Sequence, residues 1–458
     1  MTQPARKVLA ALGAVFLILL VITALWALRQ GGGDGLRQLL TTGEIRTLQP
    51  ALFQTAPLRT DHGGADRLYL LSVQSETVTG ARMGTRSGNN RPRRDLLHVD
   101  LWAIDPATAT LAWRKRLRTF EGSERAGRDL RDFDLLGADG KTLWLTLDGP
   151  LGVSLADGSV VADGARIDAK NPAMAGKRID ERGYIAFGRH GLQLTLNDAS
   201  QWRIDASDLS AAPRDTPVRD PAGIVPPAKT SSGSSSTFMT RALPIGERWL
   251  GVMTDEEAEF YSHKPVIPGR DPNERPGAMQ QFLEQNHVPA PLLQPKPQQY
   301  RLWGARMKQV SAGPPDWPKN LPDRWGKRPQ FSDYHVLPES PRFLRAGLLH
   351  DGNADEQPLW YRQPDSVLVL HSDKLGAQGR LQLTRASGPL GKPVWSAPLP
   401  MDELRAVLRK DDALMLLGSE PMPATHARDG EPVSHLKAVR VDVATGKTQV
   451  LDLTAQSL

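Results

Sequence analysis

The chain has 458 residues, 40% of them hydrophobic and 24% charged, with a formal net charge of +6 and a pI of about 9.5. These proportions exclude wholesale disorder, and a basic excess this mild over this length can favour anionic surfaces but reads first as a composition rich in Arg. No cysteine is present, which removes disulfides, thiolate metal sites, haem attachment through C-x-x-C-H and any thiol nucleophile.

After a short tail (1–7), Val8 to Leu28 reads "VLAALGAVFLILLVITALWAL", 21 residues without a charge. At ~1.5 Å per residue such a helix spans about 30 Å, the thickness of a bilayer core. A cleaved signal peptide has a shorter apolar region, ~7–15 residues, and the end of this stretch, "ITALWALRQ", offers no A-x-A cleavage site. The expectation is an uncleaved single-pass anchor in a bacterial inner membrane, with the lipid bilayer as partner through residues 8–28. Arg6 and Lys7 precede the span, so the N-terminus is expected in the cytoplasm and the bulk of the chain in the periplasm. Residues 29–44, with "GGGDG" at Gly31 to Gly35, read as a hinge.

From 45 onward the pattern is short, mostly alternating strands: Arg67 to Val78, Leu96 to Asp105, Lys141 to Leu147, Leu151 to Leu155, Gly183 to Leu196, Arg248 to Thr254, Gln298 to Met307, Ser366 to Ser372, Arg380 to Ala386, Asp412 to Ser419 and Leu436 to Val443. Turn residues such as "ADG", "RHG" and "ATGK" bound many of them, as in sandwiches, barrels and propellers. Helical spacing is confined to Leu36–Leu40, Pro276–Glu284 and Met401–Arg409. Proline-rich stretches at about 211–237 and 263–341 read as irregular insertions, because Pro cannot donate to a sheet ladder. Without them roughly 300 residues remain, about seven units of ~40–45 residues. The fold class expected is all-β: a β-propeller of about seven (six to eight) four-stranded blades over 45–458, preceded by one transmembrane helix. Leu436 to Val443 would pair beside the first strand to close it. Two domains with a break near residue 220 are the alternative.

The strands carry a weak repeat. "LWAIDPATATLAWRKRL" runs strand, Asp105, a turn at Thr108 and Ala109, then a strand with Trp113. "AVRVDVATGKTQVLDL" repeats it with Asp442, Thr445 and Gly446. "GVSLADGSVV" is a shortened copy with Asp157 and Gly158, "LTLNDASQWRI" another with Asp198 and Trp202, and Trp360 and Trp395 follow two further turn regions. Asp caps the turn, a Thr hydroxyl supports it, Gly takes the tight bend, and Trp can wedge between neighbouring sheets. Ala103, Asp105, Thr108 and Trp113, with Asp442, Thr445 and Gly446, resemble the A-x-D-x-x-T-G-x-x-x-W repeat of the quinoprotein (PQQ-type) β-propellers, and the chain is similar to single-pass bacterial membrane proteins carrying such degenerate repeats. Ala109 stands where that family prefers Gly, and Val450 where it has Trp. The resemblance implies the fold; its catalytic members bind a quinone with calcium, often with a pair of adjacent cysteines, and some add a haem. The absence of Cys excludes the cysteine and haem elements, and no calcium ligand set stands out, so no cofactor is expected.

The ten His residues are scattered with no H-E-x-x-H or H-x-H spacing, which argues against zinc. "SGSSS" lies in a polar linker, not on a nucleophile elbow. "DEEAE" at Asp255 to Glu259 reads as a solvated loop, with cation binding the sharper alternative. Between two strands, "GARMGTRSGNNRPRRDL" gathers Arg82, Arg86, Arg91, Arg93 and Arg94, whose guanidinium groups suit an anionic surface or an acidic partner. Without aromatic interleaving no nucleic-acid partner is expected. The function expected is a membrane-anchored, non-catalytic propeller that binds a protein or cell-envelope component on the exported side; the alternative is a quinone- or metal-dependent oxidoreductase or a hydrolase with its site at the propeller axis.

Overall fold

The computed structural model describes residues 44–53, 57–60, 66–80, 93–124, 128, 132–218, 221–225, 235–245, 248–255, 257, 299–311, 327–350, 366–376, 378–410, 412–421 and 434–457. The expected span at 8–28 and residues 29–43 of the hinge lie outside these residues, as do Arg82, Arg86, Arg91 and Trp360, while Glu44, the hinge's last residue, opens the first strand. Among the described residues no helix is long and apolar enough to cross a membrane.

Among the described residues the architecture is mostly β, in five antiparallel sheets, none closed on itself. Sheet A has β1 (Glu44–Leu48), β4 (Arg67–Gly80), β5 (Arg93–Asp105) and β6 (Thr110–Glu121) in that order, with β2 (Leu52–Phe53) and β3 (Leu58–Thr60) also pairing β4. Sheet B is the meander β7 (Asp134–Asp139), β8 (Thr142–Thr146), β9 (Pro150–Ser154) and β10 (Val160–Asp163). One helix, α1 (Gly164–Lys170), follows, capped by Asp163, whose side chain accepts from Arg166 N. Sheet C is β11 (Ile185–Gly188), β12 (Gly191–Thr195), β13 (Gln201–Ile204) and β14 (Ala211–Pro213), after which β15 (Ile224–Val225) returns to pair β7.

Sheet D joins two meanders. The first is β17 (Ala242–Ile245), β18 (Arg248–Met253), β19 (Gln299–Ser311) and β20 (Lys327–Val336). The second is β21 (Phe343–Leu349), β22 (Ser366–Ser372), β23 (Leu381–Ser387) and β24 (Pro393–Pro398), with β16 (Met239–Thr240) against β21. They meet where Gln299 and Tyr300 pair Leu344 and Phe343. Sheet E is β25 (Glu403–Lys410), β26 (Ala413–Pro421), β27 (Ser434–Asp442) and β28 (Thr448–Asp452).

Alternation along the strands places side chains on opposite faces, and sheet A buries both. Tyr69, Leu71, Val73, Val99 and Leu101 pack on Leu143, Leu145 and Val153 of sheet B. The other face, through Leu68, Leu70, Trp102 and Ile104, packs on Met415, Leu417, Ala438 and Leu451 of sheet E. Trp144 and Ala162 of sheet B meet Leu192, Leu194 and Ile204 of sheet C. Leu250, Val252 and Leu302 join the two meanders of sheet D through Leu348, Val367 and Val369. Leu370, Leu381 and Leu383 of sheet D meet Leu414, Leu416, Val439 and Val441 of sheet E.

Several sequence expectations need correction. Met401–Arg409 is not helical: Glu403–Lys410 is a strand, and a bulge between Leu404 and Ala406 makes its apolar spacing mimic a helix. Leu436 to Val443 does not pair beside the first strand; it lies inside sheet E between β26 and β28. The stretch 211–237 is not purely irregular, since β14 and β15 lie in it. The stretch 263–341 contains β19 and β20, two long paired strands. Pro329 in β20 is tolerated because β20 pairs only β19 and leaves its other edge without a strand among the described residues.

Candidate functional site

The turns that carry the repeat form first. In β5–β6, Asp105 Oδ1 accepts from Ala107 N at 2.8 Å and the Asp105 carboxylate pairs with Arg67 at 3.4 Å. Thr108 exchanges its hydrogen bond with Thr110, Oγ1 to Oγ1 at 2.8 Å. In the later copy Asp442 Oδ1 accepts from both Thr445 N and Thr445 Oγ1 at 2.8 Å, and these bonds hold the Asp442 carboxyl below its ordinary pKa. Gly446 N donates to Asp442 O at 2.8 Å with Gly446 at φ +73°.

The same i to i+4 closure recurs where the sequence signal is weak. Gly158 N donates to Ser154 O, Leu209 N to Asp205 O and Gly391 N to Ser387 O, and all three donors have positive φ. Each turn joins the third and fourth strands of a meander. The sequence reading assigned Asp157 and Asp198 to this role, but Ser154 and Asp205 fill it. Asp198 caps the preceding turn of sheet C through Ser200 N and Oγ, bonds that lower its pKa to about 2. Ala109, at φ 50°, replaces the expected Gly because its methyl is buried between sheets A and E.

These turns dock neighbouring sheets. A Cβ on Gly158 would come within 2.7 Å of Trp113, and one on Gly446 within 2.6 Å of Trp395. Trp395 Nε1 donates to Val443 O at 3.0 Å, three residues before that Gly. At the equivalent place in sheet B, Leu155 O accepts from Tyr69 Oη at 2.8 Å, and burial pushes the Tyr69 phenol up to about 12.

Of the arginines singled out in the sequence, the structure brings Arg93 and Arg94 together at one end of sheet A. Arg93 Nε pairs with Asp95 at 3.2 Å; Arg94 pairs with Glu44 at 3.1 Å and Glu121 at 3.7 Å. In "DEEAE", Asp255 is paired with Arg301 at 2.6 Å and Arg342 at 3.4 Å, and Glu257 with Arg241 at 3.1 Å. Glu257 also closes a capping box with Thr254, each backbone N donating to the other's side chain. Those two carboxylates are committed to cations of the chain itself. Among the described residues no group of three or more His, Asp or Glu could hold a metal.

A buried charge cluster that sequence reasoning did not find lies on the face of sheet A turned to sheet E. Asp100 has a side chain only 1% exposed, and both its oxygens accept from arginines. Arg116 Nε reaches Oδ1 at 2.9 Å and Arg114 Nε reaches Oδ2 at 3.0 Å. Burial alone would raise the Asp100 pKa, but the two guanidinium groups outweigh it and hold it below the ordinary value. Arg114 lies 4.4 Å over the Trp102 ring, and its Nη2 donates to Gln74 Oε1 at 2.9 Å. Gln74 Nε2 then donates to Gln49 O at 3.0 Å and Ser457 O at 2.7 Å. Ala51 N donates to Ser457 Oγ at 3.2 Å. The residues after β28 are thereby tied to the first sheet.

His98, two residues from Asp100 on the same strand face, bonds Glu76 through Nε2 at 2.7 Å and Thr119 through Nδ1 at 2.9 Å. Burial lowers its pKa, with the Glu76 bond opposing. The signal for this cluster was present in the alternating polar residues Ser72, Gln74, Glu76, His98 and Asp100, whose pairing in register is what makes it a cluster.

No protein-family model matches the chain and no curated protein matches it. Among solved structures, a mutant of ACO from Synechocystis is similar over 90% of this chain and 70% of that chain, at 9% identity and a TM-score of 0.20, a level that carries no argument about fold or activity.

Proposed function

We propose that the chain is a membrane-anchored, non-catalytic β-propeller that serves as a scaffold for a protein or cell-envelope component on the exported side of a bacterial inner membrane. The observation that carries this reading is the return of the chain to its start: sheet E packs on sheet A through Leu68, Leu70, Trp102, Met415, Leu417 and Leu451, while A packs on B, B on C, the two meanders of D on each other and D on E. Six successive four-stranded units arranged as blades around an axis account for that order of packing, within the six to eight expected. Docking of Trp113 on the Gly158 turn and Trp395 on the Gly446 turn supports the kinship with quinoprotein-type repeats.

The buried polar groups favour a scaffold over an enzyme. Both His98 nitrogens and both Asp100 oxygens are engaged by neighbouring side chains, so the cluster has the satisfied geometry of a structural network. Rigid repeats of this kind present variable loops at their rims, where binding can be built without disturbing the core. The test is a gentle detergent purification from native membranes with crosslinking and mass spectrometry. A stoichiometric envelope partner supports the scaffold. A clean monomer retaining a calcium ion or small molecule overturns it.

A further inference from the structure

The register of sheet A fixes where the anchor enters the folded domain. β1 runs antiparallel to the far half of β4, with Glu44 opposite Gly80 and Leu48 opposite Glu76. In the next pair Thr79 lies opposite Arg93 and Val78 opposite Arg94. Glu44 therefore sits at the arginine end of the β4–β5 pair, and Arg94 Nη2 reaches Glu44 Oε1 at 3.1 Å. Only residues 29–43 separate the apolar segment ending at Leu28 from Glu44. At ~3.6 Å per residue a connector of that length reaches at most about 54 Å.

We infer that this end of sheet A lies against the bilayer surface and that Arg93 and Arg94 bind anionic phospholipid headgroups; the inference rests on the anchor proposed above. Arg93 and Arg94 side chains are 66% and 49% exposed. Their partners Asp95, Glu44 and Glu121 are also at the surface, and exposed ion pairs of this kind are weak enough to exchange for lipid phosphates. In sequence, the twelve residues joining β4 to β5 add Arg82, Arg86 and Arg91 and no acid. Clusters of basic residues next to a membrane segment are drawn to anionic headgroups by the surface potential. The opposite end of the sheet, the turn after Asp105, is about 40 Å away along β5 at ~3.3 Å per residue.

Because the chain lacks Cys, a single introduced thiol reports one place. The full chain carrying Thr79→Cys or Ala107→Cys is fluorescently labelled and reconstituted into vesicles containing a headgroup-attached quencher, either with phosphatidylglycerol or with phosphatidylcholine alone. The expected result is strong quenching of the Thr79 label and little of the Ala107 label. The difference should be lost in neutral vesicles and in the Arg93→Glu/Arg94→Glu variant, whose Ala107 signal stays unchanged. Alkaline carbonate extraction of the same vesicles reads the anchor separately. Retention with equal quenching at both labels, or quenching indifferent to lipid charge and to the two arginines, overturns the inference and leaves the anchor standing. Release by carbonate removes the anchor and the inference together.

Discussion

Trp395 lies against Gly446 of the neighbouring sheet so closely that a methyl group on Gly446 would stand 2.6 Å from the indole, while the indole nitrogen bonds Val443 O. The contact makes one glycine serve two needs, a left-handed backbone at φ +73° and room for an aromatic face.

Gly446→Ala should therefore cost more than a turn glycine in open space. Gly140 has a similar φ of +60° but nothing within 4 Å of its Cβ position. Gly140→Ala is expected to cost about 1–2 kcal/mol, the left-handed penalty alone. Gly446→Ala adds overpacking of ~1–3 kcal/mol against Trp395. Urea titrations of the two variants compare them directly; equal losses would mean that the indole moves aside freely.

Asp100→Asn tests the cluster between the first and last sheets. The substitution keeps the shape but removes the charge that two arginines share. Removing one partner of a buried pair costs about 3–5 kcal/mol. Arg114 and Arg116 are 24% and 44% exposed and can turn toward water, which places the expectation near ~3 kcal/mol. Arg116→Gln should cost less, since Arg114 still neutralises Asp100. A chemical-denaturation ranking in which Arg116→Gln is the worse of the two would contradict the central role of Asp100.

How much of this was legible in the sequence follows from what each signal depends on. The Asp442, Thr445 and Gly446 turn was readable because its hydrogen bonds are local. Trp113 could be read as a wedge between sheets, but not that its partner is Gly158, because that pairing is set by the packing of two sheets. Asp205 and Ser387 were missed because the closure uses backbone atoms, which leave little trace in residue type. Glu403–Lys410 was misread because a bulge shifts the two-residue period toward a helical one. Nothing in residue type marks Asp100 as buried; the cover of sheet E over the second face of sheet A does that.

Gln74→Leu tests the tie between the residues after β28 and the first sheet. Leucine fills a similar space but takes away the donor shared by Gln49 O and Ser457 O, and the acceptor used by Arg114. Leaving buried polar groups without a partner costs about 1–3 kcal/mol each, less where water reaches them. The expected outcome is a stability loss of ~2 kcal/mol with faster amide exchange at Ala51 and through residues 454–457. Unchanged exchange there would show that the apolar contacts of Leu451 and Leu453 hold the junction unaided.

Stability should fall as the solution is acidified through the histidine range. His98 and His371 are both buried, and burial lowers each pKa below 6.5 despite raising contributions from Glu76 in one case and the Ser372 carbonyl in the other. A base with a depressed folded pKa binds fewer protons folded than unfolded, so unfolding takes up protons in that window. The stability these groups contribute is whole above about pH 6.5 and is lost as pH falls from there toward the folded values. His371 Nε2 contacts Thr384 Oγ1 at 2.8 Å, and Thr384 in turn contacts Ser396 Oγ at 2.7 Å, so a neutral His371 belongs to a chain of uncharged groups, with no carboxylate in hydrogen-bond contact among the described residues. His98 has Glu76 beside it, which softens its loss. Urea midpoints between pH 7.5 and 5 should therefore drop, and His371→Asn should flatten the drop more than His98→Asn. A slope that neither variant changes would assign the acid sensitivity to other groups.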